Sequence, residues 1–393
     1  MSNIARKSRL ARNIERMRKA FPEEFNFSPR TWILPREYYD FQQNFNQNGY
    51  SGKTFIIKPD AGCQGRGVYL TRSLDRINTT ECQVAQRYIR HPLLLDGKKF
   101  DLRIYVLITS CSPLRVYLFN DGLVRLCTAD YVAPSSANLE QRFMHLTNYA
   151  INKHSEDFVP EDESEAENAN KRSIRWFLDW FANAYGEEEK KKLWSQIGDV
   201  CLKTIMAIQP TLAQEYHSTF AKFLPARKPQ SNQSPQSTPE TSTCFEILGF
   251  DILVDVKFKP WLIEVNHLPS FKCDTSVDSS VKEKLVAQTF DLLKVSSQDS
   301  HLYGEAQSNH ARMRLYGRLS NKADQDGEGA EVHRDLRCNP YSKRELAELV
   351  SQFYGRLGKQ DKLVDVEKIV SKYYVSSLLD QHSSTFTKLG TPS

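Results

Sequence analysis

The sequence predicts an α/β chain of the α+β kind. Short apolar runs of strand length end in Pro, Asn, Asp or Gly, and longer stretches repeat apolar residues at helical spacing. The composition, 40% hydrophobic and 26% charged, is ordinary for a globular protein. No stretch approaches the roughly 18–20 apolar residues that cross a bilayer, so membrane insertion is not expected. A net charge of +5 is too small to imply a nucleic-acid partner. The eight cysteines include no CxxC pair, which argues against a zinc site. The basic start, Met1 to Ala20, does not resemble a secretory signal, so reduced cysteines in a cytoplasmic protein are expected.

Taken in order, Ile4, Leu10, Ile14 and Met17 predict a helix over 2–20, stopped at Phe21-Pro22. Residues 1–20 carry seven Arg or Lys against the single Glu15. A solvated helix face explains them, and an acidic partner is the alternative. Thr54 to Ile57 reads as a strand that feeds a glycine-rich loop. Leu102 to Thr109 and Leu114 to Phe119 read as two more strands, the second ended by a turn at Asn120-Asp121-Gly122. Residues 155–170 hold seven acids and no base, residues 171–222 are helical in pattern, and 225–243 form a Pro/Ser/Gln-rich connector. Cys244 to Asp255 and Trp261 to Asn266 are strong strands. From residue 301 onward, 14 basic residues meet 12 acidic ones, with weak helical patterns best at 342–378.

The sharpest chemical signal is the last strand pair, FDILVD and WLIEVN. Alternation points Glu264 and Asn266 the same way, and a turn centred between Lys257 and Phe258 sets Asp251 opposite Glu264. Two facing carboxylates repel if both are buried and ionised. A magnesium ion relieves that, since it accepts one or two carboxylates and takes further ligands from phosphates. The second signal is Lys58-Pro-Asp-Ala-Gly-Cys-Gln-Gly-Arg-Gly67, where Gly62, Gly65 and Gly67 let the backbone approach a polyphosphate and Lys58 adds a point charge. This loop does not fit the Walker pattern. The third is the polar face Lys99, Asp101 and Arg103, with Phe100 and Leu102 on the other face. Arg125, His145, Thr147, Asn148 and Tyr149 make a further polar set that proves nothing by itself.

Together IIKPDAGCQGRG (56–67), QRYI (86–89), KFDLRIYVL (99–107), MHLTNYAINKH (144–154) and CFEILGFDILVD…KPWLIEVNHLPSF (244–271) resemble the tubulin–tyrosine ligase-like family of the ATP-grasp superfamily. The CQGRG loop and the MHLTNYxINKH run are most similar to its polyglutamylase branch. The resemblance implies an ATP-grasp fold with a shortened N-terminal subdomain over 1–57, a central subdomain over 58–95 and a C-terminal subdomain over 96–298. A helical or irregular extension, 299–393, follows and lacks the strongly cationic character common after that branch's catalytic domain.

The resemblance also implies site residues. ATP is expected against Gln86, Arg87, Tyr88 and Ile89, with Lys58, Gln64 and Gly65 near its phosphates. Lys99, Phe100, Asp101, Thr147 and Asn148 make further contacts. Asp251, Glu264 and Asn266 match the Mg²⁺ ligands. Arg125, Tyr149 and Lys171 match positions that hold the incoming amino acid, and Gln64 and His267 those that meet the acceptor protein. Lys58, Arg125 and Glu264 form the implied catalytic set. The expected reaction joins free L-glutamate to acidic tubulin tails through an acyl phosphate, releasing ADP and phosphate. A monomer acting in the cytoplasm on the cytoskeleton, at a cilium, flagellum or basal body, is implied. Glycine or tyrosine as the added amino acid, and a non-catalytic microtubule-binding remnant, are the alternatives.

Overall fold

The computed structural model describes residues 1–46, 53–62, 64–159, 169–220, 244–293 and 386–389. The connector 225–243, nearly all of the extension 299–393, Cys63 and much of the acidic stretch lie outside them.

Helix α1 (Ser2–Ala5) and helix α2 (Lys7–Ala20) replace the single helix expected over 2–20, because Arg6 between them is extended. Leu10 and Ile14 are the buried stripe of α2. Strand β1 (Thr31–Leu34), helix α3 (Tyr38–Asn46) and strands β2 (Phe55–Pro59), β3 (Tyr69–Thr71) and β4 (Gln83–Arg87) follow. These strands make an antiparallel sheet in the order β1-β4-β2-β3, so the expected boundary at 57/58 falls within β2. Trp32, Phe41 and Phe55 seal its core, with ring centroids 5.1–5.8 Å apart.

The second sheet is larger. Strands β5 (Leu94–Leu95), β6 (Lys98–Cys111) and β7 (Leu114–Asp130) lead through short helices α4 (Arg142–His145) and α5 (Tyr149–Asn152) to strand β8 (Lys171–Ser173). Helices α6 (Ile174–Tyr185), α7 (Glu187–Met206) and α8 (Gln209–Phe220) precede strands β9 (Glu246–Val254) and β10 (Pro260–Asn266), helix α9 (Ser276–Leu293) and strand β11 (Phe386–Leu389). The order β10-β9-β6-β7-β11 is antiparallel, with β5 on β6 and β8 on β7. Phe177 of α6 and Phe100 of β6 meet in its core at 5.4 Å. The fold is thus α+β and ATP-grasp-like, with mixed helices and antiparallel sheets.

Two expectations need correction. Asn120-Asp121-Gly122 is not a turn: β7 runs through it to Asp130, and the reversal is at Ser112-Pro113. The pairing shifts there, from Ile104 with Gly122 to Val106 with Leu118. A Cβ on Gly122 would lie 2.3 Å from the Arg103 carbonyl, so the glycine serves close strand approach. The helical pattern assigned from 171 begins only at Ile174, since Lys171–Ser173 is a strand.

Most described residues belong to one unit, residues 1–218, 242–285 and 384–393. Of a second unit, 219–241 and 286–383, only the ends of α8 and α9 are described. Among the described residues no helix is long and apolar enough to cross a membrane.

Candidate functional site

Cross-strand register lays six charges side by side over five strands. Lys171 pairs with Arg125, and Arg125 with Asp101. Two residues along β6, Arg103 pairs with Asp251, which in turn faces Glu264. Side chains two apart share a face, so Asp101 and Arg103 join both halves into one row. Arg125 donates from Nε and Nη2 to the two oxygens of Asp101 at 2.7 and 2.6 Å, and its Nη2 lies 3.0 Å from Asp251. Arg103 donates to Asp251 at 2.5 and 3.1 Å. Burial alone would raise the Asp251 carboxyl, but the two guanidinium groups hold it well below the usual carboxylate range.

Above this row opens a cleft in which Lys7, Lys58, Lys99, Asp101, Asp251 and Glu264 converge. Lys58, next to last in β2, stands in its wall and donates to Gln86 Oε1 at 2.8 Å. Lys99 donates to Tyr88 Oη at 3.0 Å and to the His145 carbonyl at 2.7 Å. Burial lowers both lysines to about 8. Burial, then the charge of Lys99, lowers His145 to about 4. A neutral imidazole bonded to Tyr88 and the Asn138 carbonyl, each at 3.1 Å, has a packing role.

The glycine loop forms the rim. Gln64 is left-handed at φ 59°, and a Cβ on Gly65 would strike Ile151 at 2.5 Å and Asn148 at 2.8 Å. Only glycine lets this loop rest on the α5 segment.

Of the expected nucleotide contacts, Lys58, Gln64, Gly65, Gln86, Arg87, Tyr88, Ile89, Lys99, Asp101, Thr147 and Asn148 line the cleft. The Phe100 side chain does not: it is fully buried in the core against Phe177. Alternation along β6 turns it away from Lys99 and Asp101. Arg125, Tyr149 and Lys171 gather beside the cleft, with the Lys171 ammonium 3.9 Å from the Tyr149 ring centre. Gln64 and His267 are exposed, the latter following Asn266 at the end of β10.

Asp251, Glu264 and Asn266 stand together at one end. The Asn266 amide nitrogen is 3.5 Å from Asp251 and 3.3 Å from Glu264. Burial and then the Asp251 charge raise the Glu264 carboxyl. Among the described residues no group of three His, Cys, Asp or Glu is placed to hold a metal. Asp251, Glu264 and Asn266 supply two carboxylates and one amide, a donor set that would suit a cation only if a bound phosphate gave it further ligands.

Two contributors, Lys7 and Asp278, escaped the sequence reading, and so did the partner of a third, Arg103. Lys7 of α2 lines the cleft, donates to the Gly62 carbonyl at 2.7 Å and lies 4.0 Å from Glu264. No local pattern signals it, because its partners are distant in the chain. Arg103 lay in the polar run 99–103, yet its carboxylate partner is 148 residues away. Asp278 binds Lys171 at 2.6 Å and Lys282 at 2.7 Å. The spacing of Thr275 and Asp278, which hydrogen-bond each other, was its one visible sign, a helix-start pattern.

A sequence profile described as the tubulin-tyrosine ligase family matches residues 1–302. The chain is 43% identical over 323 residues to tubulin polyglutamylase ttll6 of Danio rerio, covering 82% of this chain and 39% of the relative. It is 43% identical over 316 residues to tubulin polyglutamylase TTLL13 of Mus musculus, covering 80% and 37%. Tubulin polyglutamylase TTLL7 of Xenopus tropicalis is 40% identical over 369 residues, covering 92% and 38%. The last match is longer than 302 residues and so enters the region beyond the profile. The chain spans less than two fifths of the length of these relatives.

Proposed function

The chain belongs to the tubulin–tyrosine ligase family, and on that premise we propose that it is an ATP- and Mg²⁺-dependent ligase that adds glutamate to acidic tubulin tails. One observation carries the reading: two buried lysines whose hydrogen-bond partners are neutral line one cleft with the facing carboxylates Asp251 and Glu264. The names of the relatives supply the substrate.

Lys58, Lys99 and Lys7 would bind the polyphosphate, and the Gly65 loop would close over it. Gln86 to Ile89 would receive the base. Asp251, Glu264 and Asn266 would hold a magnesium ion, which neutralises charge on the transferred phosphoryl group. The γ-phosphoryl group passes to an acceptor glutamate carboxylate, and ADP leaves. The α-amine of free glutamate then attacks the activated carbonyl, forming the amide as phosphate and a proton depart. Lys58 and Lys7 stabilise the charge that develops during transfer. Arg125, Lys171 and Tyr149 would orient the incoming amino acid. Two arms of the Arg125 guanidinium already engage carboxylates, which fixes its plane. Alignment supplies the rate, and no protein nucleophile takes part. The reading places the protein at the cytoskeleton, including ciliary microtubules.

The test is incorporation of radiolabelled glutamate into unmodified microtubules with Mg-ATP, for wild type and Glu264→Gln. Wild type should label the microtubules and the variant should lose at least 100-fold, on the scale of a lost transition-state contact. Labelling with glycine or tyrosine in place of glutamate would overturn the substrate assignment. Absence of Mg-ATP binding by calorimetry would overturn the ligase reading.

A further inference from the structure

Helix α2 carries charge that the fold does not use. Arg9, Arg12, Arg16 and Lys19 follow one another at intervals of three, four and three residues. At 100° per residue they fall within an arc of about 80°, opposite the buried Leu10 and Ile14. Arg6 extends the row. All five are exposed, and among the described residues none has a carboxylate within ion-pair distance. Arg9 and Arg16 donate to neutral oxygens of Ser2 and Ala207. Glu15 does not neutralise the row, because it is taken by Arg18 at 3.0 Å.

The row begins beside the cleft. Lys7, next to Arg6, reaches Gly62 and approaches Glu264, and the Ser8 amide donates to Asp60 at 2.8 Å. The start of α2 is thus fastened to the glycine loop, and its cations run outward from there. From Lys7 to Lys19 the helix rises about 18 Å, the reach of about five extended residues.

We infer that the exposed face of α2 is a track for an acidic polypeptide, which it holds while the end of that polypeptide enters the cleft. This rests on the ligase reading of the cleft and names where its acceptor lies. The occupant is argued from charge: a carboxylate on every residue or every second one matches a row of cations that lacks carboxylate partners among the described residues. A nucleic acid fits less well, since α2 from Lys7 to Ala20 contains no aromatic residue on which a base could stack.

The experiment measures binding of a fluorescent ten-residue oligoglutamate peptide to the full chain by anisotropy, without ATP. The variant is R6Q/R12Q/K19Q, whose three side chains are exposed and make no hydrogen bond to a described residue. Wild type should bind the peptide, less tightly as salt rises, and the variant should bind about tenfold more weakly. Its melting temperature and Mg-ATP affinity should match wild type, which separates a lost surface from a lost fold. Where labelling is active, KM for the acceptor should rise with kcat unchanged. If labelling fails but the variant still loses the peptide, the track stands and the ligase reading falls. Equal peptide affinities, or no binding by wild type, overturn the inference. Oligouridylate that displaces the peptide at equal or lower concentration overturns the choice of partner.

Discussion

On the β6–β9 side of the cleft, buried carboxylates meet guanidinium groups: Asp101 takes both arms of Arg125, and Asp251 takes Arg103 with Arg125 behind it. Where β2 and β4 meet the start of β6, Lys58 of β2 and Lys99 of β6 bond instead to an amide, a phenol and a backbone carbonyl. Both sides bury charge, yet only the first bonds it directly to an opposite charge. An ion pair inside a fold is held in one geometry by its partner. A buried ammonium with neutral partners instead has its proton loosened, which is why both lysines fall to about 8. The first side is therefore held rigid before anything binds, and under the proposed function the second is completed by an anion. Removing a charge should accordingly have opposite effects on the empty protein on the two sides.

The largest effect is expected at Arg103. Arg103→Met strips Asp251 of its closest partner and leaves a carboxylate that is 2% exposed. The loss should be about 3 kcal/mol of unfolding free energy, the lower end for a broken buried pair, because Arg125 remains. Denaturant unfolding would measure it. An unchanged midpoint would show that the carboxylate side is held no more rigidly than the lysine side.

Lys99→Met should do the reverse. The ammonium leaves a dry site without stranding a charge, so the empty protein should be as stable as wild type or more so. Mg-ATP affinity should fall about 10- to 100-fold, the worth of a charge-assisted hydrogen bond. The pH dependence separates these effects. The folded lysine titrates near 8 and the unfolded one near 10.5, so between those values the unfolded chain binds more protons. Stability of the empty wild type should rise across that window as the burial penalty is relieved. Affinity for Mg-ATP should fall as pH rises through about 8. In Lys99→Met both slopes should be roughly halved, because Lys58 still titrates. Calorimetry at pH 7 and 9 reads the affinities, and undiminished slopes would exclude Lys99 as the titrating group.

The ion-paired side was partly legible in the sequence. Alternation along KFDLR already put Lys99, Asp101 and Arg103 on one face and Phe100 on the other, so adding Phe100 to the contacts followed contiguity where alternation was the better guide. The opposition of Asp251 and Glu264 was also legible, though the route to it was not. Val254 to Ile252 pair with Pro260 to Leu262 in a register one residue short, and an irregularity at Ile263 restores the rest. A bulge leaves no mark in an apolar run. The false turn at Asn120-Asp121-Gly122 came from a glycine that serves strand approach, which has the same local chemistry as a reversal. Arg103 with Asp251, and Lys171 with Asp278, join residues more than 100 apart, and only the fold pairs them.

The smallest effect tests whether α2 is part of the lysine side. Lys7 stands 13% exposed between the Gly62 carbonyl and the carboxylate of Glu264. Lys7→Gln keeps a donor for Gly62 and removes the charge, whereas Lys7→Met removes both. If the ammonium serves the bound phosphates, Lys7→Gln should weaken Mg-ATP about threefold to tenfold, in proportion to one partly screened charge. If the bond to Gly62 also holds the loop in place, Lys7→Met should bind more weakly still. Equal losses in the two variants would mean that charge alone acts. Affinities matching wild type in both would return Lys7 to the solvated face of the helix and confine the anion site to Lys58 and Lys99.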